Sequence, residues 1–221
     1  MVLKEDCWYR NICTYQQCVN CIRYSEMKYL MDNSGLPKKK QKPIQLDGSR
    51  DPKAFHTLAE IKDDIFNFVD NGESLYIFSE YTGNGKTSWA IKLLLKYFDT
   101  VWAGNGFRVR GYFQHVPTLF NVLKDFSNST NELKTELKRK LETVDLVVWD
   151  DIASTKLSDF DIQQLLIIID SRVSEGLANI YTGNITSHEA LQKALGDRLA
   201  SRIWNMSTLI EFKGKDRRAE W

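Results

Sequence analysis

The residues from Glu80 to Ser88, E-Y-T-G-N-G-K-T-S, combine two glycines, a lysine and a hydroxyl at a spacing that suits one task. Gly83 and Gly85 let successive backbone N–H groups turn inward, and such a nest at the start of a helix favours negative charge. Lys86 follows at once and can reach β- and γ-phosphates, and the Thr87 hydroxyl can hold Mg2+. The segment reads as a cradle for a nucleoside triphosphate, built from Thr82, Gly83, Asn84, Gly85, Lys86, Thr87 and Ser88. One position departs from the G-x-x-x-x-G-K-[ST] pattern, because Glu80 stands where the first glycine is expected. The alternative is a glycine-rich turn with a chance lysine.

Further polar residues could complete that chemistry. Asp145 to Asp151, D-L-V-V-W-D-D, is an apolar strand ending in two carboxylates. Asp150 would join the magnesium shell, and Asp151 would orient or deprotonate an attacking water. A strand end capped by solvated acids is the plainer reading, but the position downstream of a phosphate loop favours the first. Leu177 to Thr182 is another strand, followed by Gly183 and Asn184. The Asn184 amide could position the same water or sense the γ-phosphate, or it is an ordinary turn asparagine. Arg198 and Arg202 lie four apart and share one face of a helix.

A separate chemistry is suggested by Cys7, Cys13, Cys18 and Cys21, spaced C-x5-C-x4-C-x2-C. Four thiolates satisfy a tetrahedral structural zinc and leave no open position for catalysis. Buried structural cysteines or a redox pair are the other possibilities. Trp8, Tyr9, Tyr15 and Tyr24 accompany them, read as partly core and partly docking surface.

The elements that must position these groups follow from periodicity. Leu75 to Ser79 reads as a buried strand, and Thr87 opens a helix carrying Ala90, Leu93, Leu94, Tyr97 and Phe98. Before the loop, a helix over Ile22 to Met31 stops at Gly35 and Pro37, and L-P-K-K-K-Q-K-P-I-Q-L reads as a linker. Its Lys38, Lys39, Lys40 and Lys42 could touch a nucleic-acid backbone, but a solvated flexible charge run is the favoured explanation. Asp51 and Pro52 open one helix that runs to Asn71 and Gly72. After the loop helix come a strand over Phe107 to His115, a helix from Pro117, and a helix capped by Ser129 and Glu132 with Leu133, Leu137 and Leu141 inward. The latter's Lys134, Lys138, Arg139 and Lys140 are solvated or meet DNA. Ser158 caps a helix bearing Leu165, Leu166, Ile168 and Ile169; Glu189 to Trp204 forms one more, and Ser207 to Phe212 is the last strand.

At 221 residues this is one α/β domain with a small appendage. Thirty basic against twenty-nine acidic residues exclude a strong bulk field, so any nucleic-acid contact must come from a local patch. The N-terminus has no signal core and the longest apolar run, Leu165 to Ile169, cannot span a bilayer, so a cytosolic location is expected.

Taken together, Y-T-G-N-G-K-T-S-W-A, L-V-V-W-D-D, I-Y-T-G-N, L-G-D-R-L-A-S-R-I-W and the terminal F-K-G-K-D-R-R resemble the AAA+ ATPases of the helicase-loader group, the DnaC/DnaI type, which includes the IstB-like transposition helpers. The resemblance covers the chain from about Asp51 onward. It implies a parallel five-stranded sheet in the order 5-1-4-3-2 with a reduced lid. It assigns Asn184 as sensor, Arg202 as the finger that reaches a neighbouring subunit's γ-phosphate, and Arg218 as a second sensor. In that group two adjacent aspartates are common at the Asp150 and Asp151 positions.

The resemblance further implies three parts: residues 1–36 as a zinc-binding module that docks on a helicase, 37–50 as a basic linker, and 51–221 as the ATPase. Its cofactors would be ATP, Mg2+ and Zn2+, and its partners a DnaB-type replicative helicase, single-stranded DNA and further copies of itself. The compressed module would fit a phage-encoded protein. Arg108, Arg110, Lys124 and Lys156 are candidates for DNA contact only because they are basic and lie on or near elements that face the pore in related ATPases, and a solvated surface role is the favoured reading for each. A transposition helper acting on duplex DNA and an adaptor that holds nucleotide without hydrolysing it are the competing readings.

Overall fold

The computed structural model describes residues 7–13, 20–41, 46, 48–49, 51–124 and 131–214. Five parallel strands form one sheet: β1 (Ser74–Phe78), β2 (Gly111–His115), β3 (Leu146–Ile152), β4 (Ala178–Gly183) and β5 (Thr208–Glu211), in the spatial order β2-β3-β4-β1-β5. Read from the other edge, this is the expected 5-1-4-3-2. Because side chains alternate along each strand, the sheet feeds two cores. Leu75, Ile77, Leu146, Val148 and Ile180 point to one, and Tyr76, Phe78, Val147, Trp149 and Tyr181 to the other.

The first core is covered by α1 (Ile22–Asp32), α2 (Pro52–Asp63), α3 (Ile65–Asp70) and α4 (Lys86–Val101). The second is covered by α5 (Val116–Lys124), α6 (Asn131–Thr143), α7 (Asp159–Ser174), α8 (His188–Leu195) and α9 (Asp197–Asn205). No helix among the described residues is long and apolar enough to cross a membrane.

The N-terminal segment shares the first core. Met27, Leu30 and Met31 of α1, with Tyr9 and Leu36, pack in the cluster that holds Leu94, Phe98 and Phe113. Tyr9 and Tyr24 are buried, Trp8 is half-buried and donates to the Gln41 carbonyl, and Tyr15 lies outside the described residues. After α1, the Ser34 carbonyl accepts a 2.7 Å bond from Phe113 N–H, so this stretch covers the outer edge of β2. Lys38, Lys39 and Lys40 form one exposed turn, with Lys40 Nζ 5.4 Å from the Phe113 ring; Lys42 lies outside the described residues.

Several expected elements are divided or displaced. The single helix expected over 51–71 is two, because Asp64 leaves helical geometry (φ −111°, ψ 30°) while its carboxylate accepts from the Asn67 amide at 2.6 Å. The single helix expected over 189–204 breaks at Gly196, whose φ of 78° and ψ of 159° suit glycine best. Asp51 stands at the helix start as expected but makes no side-chain cap; its carboxylate accepts from the N–H groups of Lys213 and Gly214 instead.

The strand expected over 107–115 begins only at Gly111. Phe107 adopts a φ of 56°, and its N–H donates to the buried Glu26 carboxylate. Leu133, expected inward, is 65% exposed, whereas Leu141 is buried. The Ser129 cap lies outside the described residues.

A buried arginine holds the sheet to its second layer. Arg172 on α7 is fully enclosed and donates to the carbonyls of Leu141, Val144 and Ala178 and to Asn179 Oδ1. Burial lowers its pKa to about 10, still well above neutrality.

Candidate functional site

All five strands are parallel, so their carboxyl ends open on one rim, where ligands of open α/β sheets bind. β1 ends in the loop from Ser79 to Gly85, β2 ends at His115, β3 carries Asp150 and Asp151, and β4 runs into Asn184. Gly83 (φ 70°) and Gly85 (φ 107°) take the left-handed conformations anticipated for the loop. α4 starts at Lys86, and Gly85, its N-cap, has no side chain with which to cap the first turn. Glu80 is exposed and is not among the positive-φ residues, so the position does not need a glycine for its backbone.

The candidate residues differ in how they face this rim. Thr82 is exposed, while Gly83, Gly85, Thr87 and Ser88 are half-buried. Lys86 is 6% exposed and folds back over the loop, donating to the Tyr81 carbonyl at 2.7 Å and to Asn84 Oδ1 at 3.3 Å. Asn84 was expected to help hold phosphate, yet its side chain points into the protein. Its Nδ2 donates to Ser79 Oγ at 2.7 Å and to the Gly214 carbonyl at 3.1 Å. The amide ties the loop to Ser79 and Gly214, while its oxygen meets Lys86 Nζ.

Asp150, 3% exposed, is the convergence point. Its Oδ1 accepts from Thr87 Oγ1 at 2.6 Å and from Thr182 Oγ1 at 2.8 Å. The loop helix and the end of β3 are therefore joined through one carboxylate oxygen, the pairing expected of two groups that share a magnesium shell. Asp151 N–H donates to Thr182 Oγ1 at 3.0 Å. Burial, and next the Asp150 charge, raise the Asp151 pKa above the usual carboxylate range. Asn184 follows Gly183, which pairs with Phe78 on one side and Ile152 on the other. Its Oδ1 is buried and finds no hydrogen-bond partner among the described residues.

Arg202 stands apart from this group. Its Nε donates to Asp170 Oδ1 at 2.6 Å, and Arg198 reaches the other Asp170 oxygen at 3.4 Å. Both arginines share one face, as their spacing requires, and within one chain that face is held by α7. Arg218 lies outside the described residues.

Two residues that sequence reasoning did not single out belong to the site. Thr182 is the last polar residue before Gly183, and His115 lies beside Asp150 in the β2–β3 register. A strand ending in histidine next to a strand ending in aspartates was the available signal for the latter.

The remaining candidates fall elsewhere. Arg110, considered for DNA contact, is tied to Asp145 and the Tyr97 hydroxyl, so its guanidinium serves the fold. Arg108 and Lys156 are exposed, and nothing is described of the Lys124 side chain. Cys7, Cys13 and Cys21 form no disulfide with one another, and Cys18 lies outside the described residues. Among the described residues, no group of three metal-binding side chains includes a cysteine.

Comparisons agree with this geometry. None of the curated proteins matches the sequence. Among solved structures, the DnaC helicase loader superposes with a TM-score of 0.62 at 23% identity, over 80% of this chain and 100% of that one. DnaI gives 0.62 at 20% identity, over 83% of this chain and 94% of that one. A replication initiator DnaA bound to AMPPCP and single-stranded DNA gives 0.60 at 16% identity, over 78% and 50%. At such identities the likeness is one of fold alone. The sequence match is to the family described as IstB-like ATP binding protein and spans residues 27–219. It starts inside α1 and takes in every strand, the loop before α4 and the rim carboxylates, and the chain accordingly belongs to the family of IstB-like ATP-binding proteins.

Proposed function

We propose that this protein is an ATPase that loads a replicative ring helicase of the DnaB type onto single-stranded DNA. The observation that carries the reading is the superposition on the solved DnaC chain over all of it, with the solved DnaI chain following over 94%. The rim supplies a rationale for the ATPase step. Lys86 leaves the Tyr81 carbonyl to meet the terminal phosphates, and the first-turn N–H groups of α4 take the remaining oxygens. Thr87 and Asp150 would hold Mg2+, which neutralises the developing phosphate charge. Asp151 and Asn184 orient the attacking water, and the raised pKa of Asp151 favours its accepting a proton.

Arg202 completes the site from a neighbouring copy after exchanging Asp170 for the γ-phosphate. Hydrolysis is then weak in the single chain and strong in the assembly. ATP favours a helicase-bound, DNA-gripping form, and hydrolysis releases it. The segment before residue 37, with Trp8 and the exposed Ile12 and Ile22, is the helicase-docking part of this reading. Zinc would be held by Cys7, Cys13, Cys18 and Cys21, and of these the described Cys7, Cys13 and Cys21 would have to be drawn together.

The test is native mass spectrometry of the full chain mixed with a DnaB-type helicase, with and without ATP, alongside zinc quantification. A nucleotide-dependent complex of defined stoichiometry is expected. The family match itself favours one other reading, a transposition helper. ATP-dependent assembly on duplex DNA with no helicase complex would select it.

A further inference from the structure

Consecutive residues of a regular strand face opposite sides of a sheet, so neighbouring aspartates would ordinarily part company. Asp150 and Asp151 do not. The pairing of β3 with β4 slips between Trp149 and Ile152, and Asp151 takes a φ of 58°, rare for a residue with a side chain. Thr182 fixes the kink by accepting the Asp151 N–H. Both carboxylates are thereby turned toward the end of β2. There His115 Nδ1 lies 3.5 Å from Asp150 Oδ2 and 3.9 Å from Asp151 Oδ2, and one donor atom from each residue falls within 4.8 Å of the others. Asp150 thus divides its oxygens, Oδ1 toward Thr87 and Thr182, and Oδ2 toward His115.

We propose that His115, Asp150 and Asp151 bind a second divalent cation of the manganese or cobalt type, beside the magnesium position at Thr87 and sharing only Asp150 with it. The donor set is one imidazole nitrogen and two carboxylates, which suits such ions better than magnesium, whose preference is for oxygen alone. Bonds of about 2.1–2.2 Å place neighbouring octahedral ligand atoms about 3.0–3.1 Å apart, so the two His115 spacings of 3.5 and 3.9 Å close with shifts of under about 1 Å. Such an ion would also answer an electrostatic oddity. The fold bends its backbone to bring a second carboxylate beside a buried one, where two like charges repel. A cation between them turns that repulsion into attraction.

The test uses the full chain without nucleotide and MnCl2 as probe, since manganese avoids thiolates and leaves the cysteines out of the measurement. Binding is followed by electron paramagnetic resonance, and ligation by nitrogen hyperfine coupling in the pulsed experiment. Wild type is expected to bind one Mn2+ with imidazole nitrogen coupling. His115→Ala should lose that coupling and at least tenfold in affinity; Asp151→Asn should weaken binding similarly while keeping the coupling. Bound Mn2+ without nitrogen coupling in the wild type, coupling that persists in His115→Ala, or no binding at millimolar Mn2+ would each overturn the proposal. The wild-type spectrum does not depend on any variant folding. No helicase or nucleotide enters, so this result and the loading experiment succeed or fail separately.

Discussion

Replacing Thr182 by valine removes one hydroxyl and leaves the side-chain volume nearly unchanged. Two hydrogen bonds go with it: the donation to Asp150 Oδ1 at 2.8 Å and the acceptance from Asp151 N–H at 3.0 Å. A hydrogen bond to a charged group contributes about 1.5–3 kcal/mol, and a buried N–H left without an acceptor costs about 1–3 kcal/mol. Asp150 keeps Thr87 as a donor, so the lower ends apply and the loss should be about 2.5 kcal/mol. For a chain of this size that lowers Tm by about 5–10 °C. Urea and thermal unfolding of wild type, Thr182→Val and Thr182→Ser measure it, with serine restoring most of the loss. A valine variant within about 1 kcal/mol of wild type, or a serine variant as unstable as valine, would refute the reasoning. Because the hydroxyl also fixes Asp151, the valine variant should lose ATP turnover more steeply than nucleotide affinity.

Asp151→Asn tests the crowded carboxylates. Its folded pKa is raised, so the folded state binds the proton more tightly than the unfolded chain. The contribution of this group to stability therefore falls as pH rises from the ordinary carboxylate value of about 3.9 through the raised one, and is constant above it. Without divalent cations, the asparagine variant should melt above wild type near neutral pH and lose that advantage on approaching about pH 4; a lower melting point near neutrality would count against the account. Gly72→Ala should cost about 3 kcal/mol or more, because its Cβ would lie 2.3 Å from the Gly176 carbonyl oxygen at a φ of +65°. Gly104→Ala, at a φ of +72° with open space around it, should cost only about 1 kcal/mol, and equal losses in denaturant titrations would dismiss the clash. Arg202→Ala breaks a partly exposed pair with Asp170, so its stability cost should stay below about 1 kcal/mol. ATP hydrolysis by the assembled protein should nevertheless fall by about 10³-fold, and unchanged turnover would remove Arg202 from the finger role.

The rim was legible where the chemistry is carried by consecutive residues. The glycines and Lys86 mark a loop between a strand and a helix, and the apolar run before Asp150 marks a buried strand. What periodicity could not convey is the direction of single side chains at irregular points. Asn84 sits in the middle of the loop motif yet turns to Gly214, a residue 130 positions away. Asp151 reaches the rim only through a slip in register, which no alternation pattern encodes. Gly196 and Asp64 divide helices whose apolar spacing continues across the break. Leu133 keeps helical spacing with Leu137 and Leu141 but lies beyond the reach of the second core. His115 acquires meaning only once β2 is placed beside β3, a tertiary fact.

The described residues between Cys7 and Gln41 pack on parts of the chain made later, which sets an order of events during synthesis. Its resting place is α4 and β2, complete only at His115. At about 5–20 residues per second, the ribosome needs roughly 4–15 s to supply them. For that interval Tyr9, Met27, Leu30, Met31 and Leu36 have no core to enter, and the described cysteines wait beside them. The nascent chain is thus most vulnerable to wrong associations until β2 has been made, and a chaperone that shields apolar surface would act on this stretch first.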